Sequence, residues 1–140
     1  MQLREIYEKM MNRTVCLALA TSVDGVPNVR VISYGYEKST PNKVYFTTFP
    51  GNRKVTEFEK NPQVSFILLP EGDADTQVRI FGKVKLTEKP LAEIGALIAE
   101  KYPPFGELLD SARDVLLSFE IEFSEAEITV GVTEPKTLVL

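Results

Sequence analysis

From Thr76 to Leu86 the chain alternates between two kinds of side chain. Val78, Ile80, Gly82, Val84 and Leu86 fall on one side, and Gln77, Arg79, Phe81, Lys83 and Lys85 on the other. A period of two belongs to an extended backbone, whose successive side chains point to opposite faces. The stretch therefore predicts one long strand with a core face and a mainly polar face.

Other strands can be read on either side of it. Thr14 to Thr21 is a β-prone, nearly continuous apolar run, and Asp24-Gly25 followed by Pro27 supplies a turn before a second run from Asn28 to Tyr36. Together they predict a hairpin. Ser39 to Asn42 marks another turn, Lys43 to Thr48 a third strand, and Val64 to Leu69 a fourth. Late in the chain Leu117, Phe119, Ile121 and Phe123 alternate with Ser118, Glu120 and Glu122, and a short last strand is expected over Ile128 to Val132.

Three helices interrupt the strands. Leu3, Ile6, Tyr7 and Met10 have helical spacing; Val55, Phe58 and Glu59 suggest a short helix opening near Asn52, its cap, and stopping at Asn61-Pro62. Leu91, Ile94, Leu97 and Ile98 make the stripe of a third, from Pro90 to before Pro103-Pro104. Hairpin connections favour an antiparallel barrel over a parallel sheet, whose crossovers need about a dozen residues each. At 140 residues the expectation is a single, mainly β domain with flanking helices.

The composition removes much ordinary enzymology. There is no histidine, which excludes Ser-His-Asp and Cys-His catalysis, the usual zinc sites and histidine-ligated haem. Cys16, the only cysteine, has no internal partner and sits in an apolar run, so it is read as a buried structural residue of a protein in a reducing compartment. No apolar run is long enough to span a bilayer, and Met1 to Glu5 alternate in charge without a signal core. A soluble cytoplasmic protein is expected. A net charge of −4 argues against a general nucleic-acid binder. Charge is uneven, however: nine basic and six acidic residues through Lys60, then seven and fourteen. An anion site belongs in the first half.

Two anomalies lie there. Gly51-Asn52-Arg53-Lys54 places two cations in the first turn of a helix, where the dipole disfavours them by roughly 0.3–1 kcal/mol each unless an anion is present. Backbone donors, the Asn52 amide and two cations would make a phosphate cradle. Arg30 is the second, a cation inside a β-prone run; a carboxylate such as Glu57 or a ligand phosphate would serve as its partner. Thr47 and Thr48 read as β-formers, Gln77 and Arg79 as a solvated face, and Tyr34 and Tyr36 as core or interface residues able to stack on a planar ligand. Glu120 with Glu122, and Glu71, Asp73 and Asp75, read as solvent-facing carboxylates.

Taken in order, these segments resemble the pyridoxamine 5′-phosphate oxidase family of FMN-binding split barrels. Leu17 to Pro27 is similar to the family's first hairpin, and Arg30-Val31-Ile32 to its arginine-bearing second strand. Tyr45 to Thr48 leading to Asn52-Arg53-Lys54, then Asn61 to Ser65, resembles its most recognisable segment, and Gln77 to Gly82 its glutamine-led fifth strand. The resemblance implies a homodimer of six-stranded split barrels with FMN at the subunit interface. It implies phosphate contacts from Arg30, Arg53 and Lys54 with Asn52 assisting, a ring lined by Val31, Ile32, Thr47 and Thr48, and a hydrogen bond to the flavin from Gln77 of either subunit.

The chain departs from the oxidase itself. Ser33, Tyr34 and Gly35 stand where the oxidase carries a lysine, and no arginine follows Arg113. Vitamin B6 oxidation is therefore not expected, and the missing histidine argues against the haem-handling branch. The expectation is an FMN-dependent oxidoreductase with a small-molecule electron donor or acceptor. A non-catalytic flavin carrier, sensor or stress protein is the alternative, and a deazaflavin user a further one.

Overall fold

The computed structural model describes residues 2–72 and 75–140. Asp73, one of the carboxylates named above, lies outside the described residues. Strands β1 (Cys16–Val23) and β2 (Val26–Ser33) form a hairpin in which Val23 pairs with Val26. Asp24 and Gly25 have φ of 52° and 79°, the left-handed pair of a two-residue turn whose twist matches that of the strands. Asp tolerates that region and Gly adopts it without strain, so this dipeptide sets the register of the β1–β2 hairpin.

The remaining elements are α1 (Leu3–Arg13), β3 (Lys43–Thr48), α2 (Arg53–Lys60), β4 (Gln63–Leu69), β5 (Thr76–Leu86), α3 (Leu91–Lys101), α4 (Pro104–Ala112), β6 (Leu117–Glu122), β7 (Glu125–Val130) and β8 (Lys136–Val139). The sheet runs β2-β1-β4-β5-β6-β3 with antiparallel neighbours, and β7 and β8 extend it from β5. Its two ends meet where Gly35 and Tyr45 exchange backbone hydrogen bonds of 2.8 and 3.0 Å. The expected mainly β split barrel with peripheral helices is what forms.

The long strand is where the wall divides. Residues 76–79 of β5 pair with β7, whereas 83–86 pair with β6. Gly82 stands at the division, where a Cβ would come within 2.7 Å of the Glu122 carbonyl oxygen. Val78, Ile80 and Val84 are buried as their alternation predicts, but Leu86, at the end of the strand, is 62% exposed.

Aromatic packing fixes α2 to the barrel. Phe46 stacks on Phe119 with centroids 5.5 Å apart, and Phe58 of α2 meets both edge-on at 5.9 and 5.2 Å. Burying a side chain of this size contributes about 1.5–3 kcal/mol, enough to hold a helix of only two turns in place. A smaller core of Tyr45, Ile94, Ile98, Phe105 and Leu109 lies under α3 and α4.

Several expectations need correction. Helix α4 begins at Pro104, because proline at the start of a helix sacrifices no internal hydrogen bond; Pro103-Pro104 ends one helix and opens another. Strand β8 folds the last residues back onto β7, and Leu138 and Leu140 pack on the core. Strand β2 stops at Ser33, after which Tyr34 and Tyr36 turn into the core. Cys16 is half-buried on the outer face of β1, beside Ser33 and not in the core. Glu120 is buried, held by Lys43 at 3.0 Å and by a 2.8 Å hydrogen bond from Thr87 Oγ1.

Candidate functional site

The hairpin register carries the first part of the site. Arg30 lies opposite Leu19, and Asn28 opposite Thr21. Directly opposed residues share a face, so all four side chains look toward the barrel interior, where α2 closes the floor. The Arg30 guanidinium donates from Nη1 to the Leu19 carbonyl at 3.3 Å and to Thr21 Oγ1 at 3.0 Å. Its Nη2 donates to Glu57 Oε1 of α2, and Asn28 Nδ2 donates to Glu57 Oε2 at 3.2 Å. Glu57, the carboxylate the sequence offered as a partner for Arg30, is in place.

Glu57 responds to that setting. Burial pushes its pKa up, but the hydrogen bond from Asn28 and the charge of Arg30 outweigh it and leave the carboxyl below the usual range. Lys54 moves down from the usual lysine value, first because it is partly buried and then because Arg30 is near; Glu57 opposes the shift only in part. Positive charge is thus in excess around Arg30.

The α2 N-terminus adds to the excess. Asn52 occupies the cap position, yet its side chain makes no capping bond, and the first turn holds no acidic residue. The Asn52 amide donates instead to Thr48 Oγ1 at 2.7 Å, which corrects its expected role as cap. The first backbone N–H groups of α2 are left for another acceptor. Arg53 lines a groove of about 360 Å³ with Asn28, Thr56, Glu57, Lys60 and the hairpin residues Val23, Val26 and Pro27.

The structure thus gathers Arg30, Asn52, Arg53 and Lys54 around one helix end, with Thr48 buried behind Asn52. Thr47 is half-buried on the neighbouring position of β3. Val31 and Ile32 are split by the pleat: Ile32 packs against the core and Val31 is 61% exposed on the outer face. Gln77 is also on the outer face, opposite Thr129, three strands from β2 or roughly 14 Å across the sheet. Within one chain it stands apart from the cations.

Tyr34 and Tyr36 are core residues, and the Tyr34 hydroxyl donates to the Met11 carbonyl at 2.8 Å. Neither is placed to stack on a ligand from outside. Phe81, by contrast, is 63% exposed. It belongs to an uncovered apolar surface in two cross-strand rows, Val31-Ala18-Ile67-Arg79 and Val29-Ala20-Ser65-Phe81.

Thr21 and Asn28 are the site residues that reading by residue type passed over. Counting outward from the Asp24-Gly25 turn finds them, because a two-residue loop sets Asn28 opposite Thr21 and Arg30 opposite Leu19. Chemically, an uncapped helix end with three nearby cations and one carboxylate suits an anionic oxygen cluster such as a phosphate.

Solved structures share the fold. HutZ, the heme storage protein from Vibrio cholerae, is 19% identical with a TM-score of 0.71, the match covering 93% of this chain and 95% of that one. General Stress Protein 26 from Bacillus anthracis is 17% identical with a TM-score of 0.70 over the full length of both. An FAD-binding protein from Mesorhizobium loti is 18% identical with a TM-score of 0.66, covering 91% of this chain and 94% of that one. No curated protein matches the chain in sequence. The family model for pyridoxamine 5′-phosphate oxidase-like proteins matches residues 10–135, and so the chain belongs to the pyridoxamine 5′-phosphate oxidase-like family.

Proposed function

We propose that this protein binds FMN and works as an FMN-dependent oxidoreductase, as a cytoplasmic homodimer with the flavin between subunits. The observation that carries the reading is the uncapped N-terminus of α2 with Arg30, Arg53 and Lys54 around it and Glu57 as the one carboxylate among them. Those groups would hold the flavin phosphate, with Asn52 assisting. Val31, Ile32, Thr47 and Thr48 would border the ring through backbone or hydroxyl groups, since the side chains of Val31 and Ile32 lie on opposite faces of β2.

A second copy completes the site. The outer face that carries Gln77 and Phe81 also carries the exposed valines of β2, so pairing two such faces would set Gln77 of one subunit against the strand that carries Arg30 in the other. Bound flavin supplies the electron-transfer chemistry, which is why a chain without histidine can be a redox enzyme. The protein's part is to bind, orient and shield it.

The test is the absorbance of the purified protein after FMN addition and desalting, followed by anaerobic NADH or NADPH. Retained flavin bands that bleach support the oxidoreductase and identify its electron donor. Retained bands that bleach with neither donor favour a flavin carrier, and absence of retained flavin rejects the reading.

A further inference from the structure

We propose that Glu57 is a positioning residue for the flavin phosphate, acting through Arg30; this rests on the FMN reading above. A guanidinium has five N–H donors in a rigid fork. Three are taken inside the protein, by the Leu19 carbonyl, Thr21 Oγ1 and Glu57 Oε1. The others meet no acceptor among the described residues.

The carboxylate is itself anchored. Its second oxygen accepts from Asn28, and its position on α2, three residues after Lys54 and four after Arg53, puts it on the same side of the helix as both. Arg30 is therefore ordered before any ligand arrives, and the entropy of fixing it is spent in folding and not in binding. Three cations against one carboxylate also leave an excess that suits the nearly two negative charges of a phosphate monoester.

The direction of the effect separates positioning from simple charge. If Glu57 only diluted the positive field, removing it would tighten phosphate binding. If it positions Arg30, removing it weakens phosphate binding and leaves the rest of the flavin untouched.

Calorimetric titration of the full chain with FMN and with riboflavin, which lacks the phosphate, decides between them. Glu57→Ala and Thr21→Val are each expected to weaken FMN about tenfold with riboflavin unchanged. Glu57→Gln, which keeps an acceptor for Arg30, stays within about threefold of wild type. A folded Glu57→Ala or Thr21→Val that binds FMN as tightly as wild type, or loses both ligands equally, overturns the proposal. Should Glu57→Ala not fold, Thr21→Val decides by the same two outcomes. A wild-type protein that binds neither ligand, or both equally, overturns the flavin-phosphate reading itself and the role of Glu57 with it.

Discussion

Arg30 of β2 and Glu57 of α2, 27 residues apart in sequence, form an ion pair with side chains only 18% and 12% exposed. It joins the first hairpin to the helix that closes the barrel floor, so it is a structural link as well as part of the candidate site. Removing one partner leaves the other charge shielded from water and alone. Glu57→Leu or Arg30→Met alone should cost about 2–3 kcal/mol, below the range for fully buried pairs because both keep some solvent contact. The double variant should lose less than the sum. Urea unfolding of the four proteins measures this, and simple additivity would show that the pair is not coupled.

The cations on α2 should matter to the ligand more than to the fold. Arg53 is exposed and Lys54 only partly covered, so Arg53→Ala with Lys54→Ala should change stability little. FMN affinity should fall by roughly 3–5 kcal/mol, from the loss of two charge-assisted contacts to phosphate. Riboflavin binding should hold. FMN binding that survives the double substitution would move the phosphate away from this helix end.

Local chemistry was legible where one residue decided the geometry. Asp24-Gly25 marked the hairpin, the alternation of residues 76–86 marked the long strand, and Asn52 before Arg53-Lys54 marked the start of α2. What could not be read was set by partners distant in sequence. Glu120 alternates like a solvent-facing residue, but β3 brings Lys43 across from β6 and Thr87 follows β5, so a charge that looked free is buried and paired. Cys16 looked interior because its run is apolar on both sides of the strand; that outer side is the uncovered face of the sheet. Helix α4 and strand β8 were lost to a proline pair and a polar tail whose pairing is tertiary.

Glu120 gives the acid side of the stability profile. Burial raises its pKa, but the hydrogen bonds from Thr87 and Lys43 and the charges of Lys43 and Lys85 bring it below the usual carboxylate value. A carboxyl depressed in the folded state stabilises the fold above its unfolded pKa and loses that contribution as pH falls through the folded one. Glu120→Gln should therefore lower the melting temperature at neutral pH, with the gap to wild type closing in acid. A gap that stays constant from pH ~7 to ~3 would remove the ionised carboxylate from the explanation.

Lys101 should shape the alkaline side in the opposite sense. Its ammonium donates to the Thr14 carbonyl at 2.8 Å and lies 3.6 Å from the centre of the Tyr34 ring, yet burial pushes its pKa down to about 8. Between that value and the ordinary lysine range the unfolded chain holds more protons, so this residue makes stability rise with pH there. Lys101→Met should flatten the rise. Equal slopes for the two proteins between pH ~8 and ~10 would show that the ammonium is not destabilised by its setting.

The outer sheet face makes the last prediction. Val29 and Val31 are 64% and 61% exposed and Phe81 63%, and between them Ala18 and Ala20 leave a shallow trough with Ile67 and Arg79 on its border. Exposed valines and a phenylalanine on one sheet face, separated only by small residues, are seldom left in water, and two copies of the face would bury each other about a two-fold axis. In sedimentation the wild-type protein should run as a dimer of the 15.7 kDa chain. Val31→Asp or Phe81→Asp would place unpaired carboxylates in the interface at a cost of about 3 kcal/mol or more per dimer, shifting it toward monomer without unfolding the barrel. Because Gln77 shares this face, the monomeric variants should also lose flavin that the cationic cluster alone cannot hold. A wild-type monomer at micromolar concentration would refute the dimer, and a monomeric variant that keeps its flavin would place the whole site within one chain.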